Sequence, residues 1–397
     1  MRNPYADLLR VPGGPAFSAA AFVARLPMSM VGIGLVLLVS SAGGRYALAG
    51  AVAACYALAG AVLAPQVSRQ VDRRGQRAVV PAATALSLTG LGVLVLAAQS
   101  QWPAWTLFPA AVLAGGLLPN VGSLVRARWS GLLAGRPQLR TAYSLESVLD
   151  EVVFILGPPA ITVLAAQLGP GAALLGVQVF VVVGTVLFVA QRRTEPRPVP
   201  AGHGAGPSVI ALPGLRALVL LMVALGGVFG SIEVVTVAFA DERDRPVVAG
   251  VLLALYAAGS LVGGVGYGAR QHRTPLHRQL VVLGLLTPLG TTALPFADRA
   301  VVLGALVTFS GLVVAPTLIA TFALVDHIVP GERLTEGLTW ATTGITLGVS
   351  LGAAAAGPVI DAVGTPAAYL VTAVSGVLTA AVAVAAARWL HPARATG

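Results

Sequence analysis

The chain has 397 residues, 56% of them hydrophobic and only 10% charged, with a formal net charge of +10 and a mean hydropathy of +0.86. A soluble protein carries about 25% charged residues, so this composition excludes an ordinary soluble domain and points to a polytopic membrane protein. All 25 basic residues are Arg; with no Lys there is neither a P-loop nor Schiff-base chemistry, and the single Cys55 cannot form an intrachain disulfide.

In chain order, a polar segment, 1–14, leads into an apolar run that ends near residue 41. That run is too long for the core of a cleavable signal peptide and is expected to be a retained first span. A second run, 45–67, is followed by Ser68-Arg69-Gln70-Val71-Asp72-Arg73-Arg74-Gly75-Gln76-Arg77, a polar island expected to form a tight loop at a membrane face before the next run, 78–98. In all, twelve helical spans are expected, at roughly 16–41, 47–67, 78–98, 104–126, 141–166, 170–190, 214–240, 247–269, 279–297, 300–326, 335–359 and 364–388. Runs rich in Ala, Val, Leu and Gly read as helices rather than as the short alternating segments of a membrane barrel. The fold class is therefore all-α and polytopic. Residues 192–213, rich in Pro and Gly, read as a cytoplasmic linker between a first bundle, 1–191, and a second, 214–397.

The arginines set the expected orientation. With the N-terminus in the cytoplasm, twenty of them fall on the inner side, Arg126 and Arg128 among them, and four on the outer side; the remaining one, Arg25, lies within a span. That bias puts both termini and the linker in the cytoplasm of a cell-membrane protein. Trp102 and Trp105 at an outer end, and Trp129 and Trp389 at inner ends, read as interfacial belts.

The two bundles are expected to be pseudo-symmetric. At a shift of 200 residues Ala49-Gly50 matches Ala249-Gly250, Tyr56 matches Tyr256, Arg73 matches Arg273, and Gly157-Pro158 matches Gly357-Pro358. Two repeated six-helix bundles are a transporter architecture, with the substrate site between them near mid-membrane.

On these residues the chain resembles the major facilitator superfamily, specifically its bacterial drug and metabolite efflux branch. The carrying motif is the loop after span two, where Asp72, Arg73, Gly75 and Arg77 fit the family's Gly-x-x-x-Asp-(Arg/Lys)-x-Gly-(Arg/Lys) pattern once one residue is inserted, and Ser68 stands in for its first Gly. The resemblance implies that this loop acts as a conformational switch against the other half. It also implies that Gly344, Gly348 and Gly352, on one face of span eleven, receive span two. Gly157-Pro158-Pro159 in span five partly matches an antiporter motif and equally reads as a kink at a helix-packing site.

Ionisable groups inside spans are costly and mark function or pairing. Arg25 lies nine residues into span one, and Glu146, Asp150 and Glu151 lie in span five with Arg25 at the depth of Asp150. A cluster of Arg25 with Asp150 and Glu146 is expected. One cation cannot neutralise three acids, so one of them is expected to hold a proton and serve proton coupling; a plain structural ion pair fits Arg25 as well. Glu146 is near enough to the inner interface to reach water. Glu233, deep in span seven without a cation at its depth, suits a proton carrier or an anchor for a cationic substrate. Tyr56, Asn120, Tyr256, Thr317 and Thr321 are further cavity candidates. The five His show no metal-ligand spacing, and no catalytic constellation is present, so neither a metal nor a cofactor nor an enzymatic activity is expected.

The expected activity is proton-coupled export of small apolar or cationic compounds by alternating access. An uptake facilitator or symporter for a nutrient such as a sugar, or a lipid-handling member of the same fold, is the alternative. The expected partners are a small-molecule substrate, protons and the lipid bilayer, with no nucleic acid; the protein is expected to work as a monomer.

Overall fold

In a computed structural model, residues 4–43, 46–198, 207–270 and 274–390 are described. Every regular element among them is helical. Twelve helices are long and apolar enough to cross a membrane: Gly14–Ser41, Leu48–Arg74, Gln76–Gln99, Ala104–Leu133, Gln138–Leu168, Pro170–Ala190, Pro213–Asp241, Val248–Ala269, Leu276–Phe296, Ala300–Ile328, Gly331–Val363 and Thr365–Trp389, named here spans one to twelve. Helices satisfy every backbone polar group internally, which is what a hydrocarbon surrounding demands. A short helix, Pro4–Leu9, precedes them.

Several spans are interrupted. Span one passes through a 3₁₀ turn, Leu26–Ser29, just after Arg25. Span four breaks between Leu107–Gly116 and Val121–Leu133, and span ten between Ala300–Gly311 and Val314–Ile328. The last two breaks are related by the internal repeat. A Cβ on Gly115 would meet the Tyr56 carbonyl oxygen at 2.1 Å, and one on Gly311 the Tyr256 carbonyl oxygen at 2.3 Å. Spans two and four thus pack as spans eight and ten do. His272 and Arg273, in the repeat copy of the basic loop, lie outside the described residues.

The polar island 68–77 is not an extended loop. Helix runs to Arg74 and restarts at Gln76, so Gly75 alone makes the turn, at φ 89° and ψ 156°. That backbone region is all but reserved for Gly. The island's charges are therefore helix ends.

Buried apolar side chains show how the halves meet. One cluster runs through both halves at the end that carries the linker, joining Leu8, Phe17, Val71 and Trp129 to Leu215, Phe322 and Leu338. At the opposite, far end each half keeps its own cluster, one around Leu35, Leu94 and Ala111 and one around Ile232, Phe239 and Leu303. The polar stripe of span eleven shows the same gradient: Thr335 and Thr339 are buried, whereas Thr346 and Ser350 on the same helix face are exposed. The bundle is closed at the linker end and parted at the far end.

The glycine face of span eleven corrects one expectation. Gly344, Gly348 and Gly352 lie against span seven, not span two: Cβ atoms there would meet the carbonyl oxygens of Val219, Val223 and Gly227 at 2.8, 2.1 and 2.3 Å. Span seven answers with Gly226 and Gly230 against the Ile345 and Val349 carbonyls. This contact is inside the second half and is dictated by matched small residues on both helices. Span two reaches span eleven only lower down, through hydroxyl and carboxylate groups.

Candidate functional site

The linker end is sealed by polar contacts at two seams. At the seam of spans two and eleven, Asp72 accepts the backbone N–H groups of Thr335 (3.3 Å) and Glu336 (2.8 Å), so it caps the start of span eleven's main helix. A carboxylate is favoured there because the first N–H groups of a helix have no partner and carry partial positive charge. Ser68 and Thr339 hydroxyls meet at 2.8 Å, and Arg69 lies 4.0 Å from Glu336. Glu336, passed over in the sequence, is buried and also accepts from Ser208 and the Val209 N–H of the linker. Arg77 and Gly75 face the linker too: the Arg77 N–H donates to Glu195 at 2.9 Å. Arg73 is half-buried beside them.

At the seam of spans five and eight, Thr141 and Ser144 donate to the carbonyls of Gly268 (2.9 Å) and Gly264 (2.8 Å). Between the seams Asp326, at the end of span ten, accepts from Ser130 and from Tyr143 (3.1 Å).

Above this seal lies the ionic cluster, and it differs from expectation. Arg25 donates to Glu146 (2.5 Å) and to Asp150 (2.6 Å) as expected. A second cation joins it: Arg126 donates to Asp150 at 2.8 Å and stacks over Phe322, 4.2 Å from the ring centre. Arg126, expected at the inner membrane face, is instead buried within the bundle. Span four in fact continues to Leu133 because its arginines are neutralised or hydrogen-bonded inside. Glu146 does not reach water; it is 0% exposed and also accepts from Ser18 (2.6 Å) and Trp129 (2.8 Å). Trp129 is accordingly core, not interfacial belt. Arg128, also assigned to the face, is fully buried against Phe188 (3.8 Å) and donates to Gln76, Gln191 and Thr194. Arg25 and Arg126 thus match Glu146 and Asp150 two to two, and the excess acid disappears from this cluster.

It reappears next door. Glu151 points away from Arg25 and accepts a hydrogen bond from Ser260 of span eight at 2.6 Å. This bond joins the two halves across spans five and eight. One turn from Ser260, Tyr256 is buried, its hydroxyl without a hydrogen-bond partner among the described residues, its ring edge-to-face with Phe229 at 5.4 Å. Phe229 lies one turn from Glu233 on span seven, so Glu233 is carried by the helix whose aromatic ring meets Tyr256. Glu233 is exposed and makes no ion pair among the described residues. Glu151 of the first half and Glu233 of the second thus lie on helices that meet span eight around Ser260 and Tyr256. An ionised carboxylate within a span and without a cation is costly.

The remaining candidates sit elsewhere. Tyr56 is half-buried against the first half's far-end cluster. Asn120 is the N-cap of the second segment of span four and accepts from the Ser123 N–H at 2.9 Å. Thr317 and Thr321 are 0% exposed and turn their hydroxyls to their own helix, onto Val313 and Thr317 carbonyls. Gly157 is a close-packing point: a Cβ there would collide with Ser29 of span one. Pro158 continues the helix one residue on.

A family model described as Major Facilitator Superfamily matches residues 17–307. Among solved structures, the fold is similar to a bacterial homologue of the iron transporter ferroportin in an outward-facing state, with a TM-score of 0.71 and 16% identity over 94% of this chain and 98% of that one. It is also similar to the E. coli fucose:proton symporter (TM-score 0.72, 14% identity, 96% and 99% covered) and to a human organic anion transporter (TM-score 0.66, 15% identity, 98% and 100% covered). At these identities the likeness is one of fold. No curated protein sequence matches the chain.

Proposed function

The chain belongs to the major facilitator superfamily, and on that premise we propose that it exports small apolar or cationic compounds in exchange for protons. The observation that carries this reading is the Glu151–Ser260 bond beside Tyr256 and Glu233, two acids with no cation among the described residues. Protons arriving through the far-end opening neutralise Glu151 and Glu233 and release a cationic substrate. Loss of those protons toward the linker end then restores the charge that recruits the next substrate molecule. Exchange follows because proton and cation compete for the same carboxylates. The first half, 1–191, and the second, 214–397, act as the two rocking bodies, with 192–213 joining them. Arginine excess at the linker end supports a cytoplasmic linker and termini in a cell-membrane protein. The surrounding groups, Tyr256 and Phe229 among them, suit an amphiphilic cation better than a sugar, which would call for more amide groups than this site offers.

The test is a proteoliposome assay with ethidium as a lipophilic cation. An acidic interior should drive ethidium inward through the wild-type protein. Glu151→Gln and Glu233→Gln should each abolish gradient-driven accumulation while the protein still folds. Full accumulation by both variants would sink the coupling role of these residues.

A further inference from the structure

The two seams at the linker end carry different straps. The seam of spans two and eleven is held by the linker, through Ser208 and Val209 on Glu336. The seam of spans five and eight carries the short helix Pro4–Leu9. Leu8 in that helix is 1% exposed and belongs to the cluster shared by both halves. Its neighbour Tyr5 reaches across the seam. The Tyr5 hydroxyl lies 2.9 Å from Ser144 of span five and 3.1 Å from the Val265 carbonyl of span eight. The Tyr5 hydroxyl donates to the Val265 carbonyl and is tied to span five by its contact with the Ser144 hydroxyl. One hydroxyl thus touches both halves. Burial pushes the Tyr5 hydroxyl above its ordinary value. Span eight makes room for the ring at Gly268, where a Cβ would come within 2.8 Å of the Tyr5 oxygen.

We propose that the helix Pro4–Leu9 is a clasp on the seam between spans five and eight, one that must lift before the linker end can open. The clasp rests on the reading that the two halves rock about the central site. It sits on the first half through Leu8 and grips the second through Tyr5, so parting spans five and eight breaks the Val265 bond. The N-terminal segment thereby sets the balance between the two conformations without touching Glu151, Tyr256 or Glu233.

Pulsed electron-spin distance measurements on the full chain, in a Cys55→Ala background, test this. One label pair, Arg136→Cys with Arg270→Cys, reports the linker end of spans five and eight; a second, Leu168→Cys with Arg245→Cys, reports the far end. Tyr5→Phe keeps the ring and loses the hydroxyl that touches both halves. It should raise the ratio of linker-end-open to closed molecules roughly two- to tenfold, the change expected for one net hydrogen bond, with the far-end distance shortening in step. Deleting residues 1–9 should raise it further. Asp72→Ala, which loosens the other seam, is the comparison. If it lengthens the linker-end distance while Tyr5→Phe and the deletion leave it unchanged, the clasp is overturned. If no variant moves either distance, the rocking reading falls and the clasp falls with it.

Discussion

At the scale of single residues, the mid-membrane charges divide into two kinds that the same letters in the sequence do not distinguish. Arg25, Arg126, Glu146 and Asp150 form a neutral, hydrogen-bonded set, with Glu146 at 0% exposure taking bonds from Ser18, Arg25 and Trp129. Removing one partner from a buried pair strands the other and costs about 3–5 kcal/mol. Arg25→Met is therefore expected to lower the thermal unfolding midpoint in detergent sharply, and adding Glu146→Gln should recover most of the loss. An unchanged midpoint in the single variant would show that the cluster holds nothing together. Glu151 is of the other kind. It accepts from the Ser260 hydroxyl, a bond that a glutamine oxygen can accept equally well. Glu151→Gln should thus stay within about 1 kcal/mol of the parent in the same melt, the usual range for a substitution that keeps its contacts. Stability lost at Arg25 and kept at Glu151 would separate scaffold from machinery. The pairing of Arg25 with span five was legible because the depths match. Arg126 was not, because a hydropathy pattern ends a span at its first arginine and cannot see a carboxylate 24 positions further on.

At the scale of helices, close approach is written in glycines, but the partner is not. Span eleven shows three glycines spaced by four, and the sequence alone could not choose between spans two and seven as the surface they meet. The choice lies in span seven, whose Gly226 and Gly230 face carbonyls of span eleven in return. A reciprocal fit of this kind is a property of two faces together. It makes a sharp forecast within one helix. Gly348→Ala would place a Cβ 2.1 Å from the Val223 carbonyl, backbone that cannot swing aside, so spans seven and eleven must separate. Gly357, on the same span, has open space around its Cβ position. Gly357→Ala should be neutral or stabilising by about 0.5–1 kcal/mol, the helix preference of Ala over Gly, while Gly348→Ala should be clearly destabilising. Equal melting points for the two would contradict the packing described. The turn at Gly75 belongs to the same scale: one residue suffices to reverse the chain there because its backbone angles are open to glycine, so the arginines around it are free to act as helix ends.

At the scale of the whole molecule, twelve spans and their repeat were readable from apolar run lengths and a constant offset of 200 residues, whereas the conformation was not. A transporter sequence must encode both of its closed seams, so its pattern cannot say which is shut. The distribution of buried surface decides it here: one shared cluster at the linker end, separate clusters at the far end. The stripe Thr335, Thr339, Thr346 and Ser350 crosses that boundary on a single helix face, which makes it a ruler for the opening. In a Cys55→Ala background, Ser350→Cys should react readily with a membrane-impermeant thiol reagent, and Thr339→Cys, locked against Ser68, should not. Asp72 is what holds that lock, because its carboxylate satisfies two N–H groups at the start of span eleven that no backbone acceptor serves. Removing a carboxylate that accepts the first N–H groups of a helix costs, by analogy with an N-cap, about 0.5–2 kcal/mol, enough to shift a two-state balance severalfold. Asp72→Ala should consequently expose Thr339→Cys to labelling and slow the labelling of Ser350→Cys. Arg74→Ala, at an exposed position two residues on, should change neither. Labelling at both positions that ignores Asp72 would mean that the acid of this turn caps a helix without governing which end of the bundle is open.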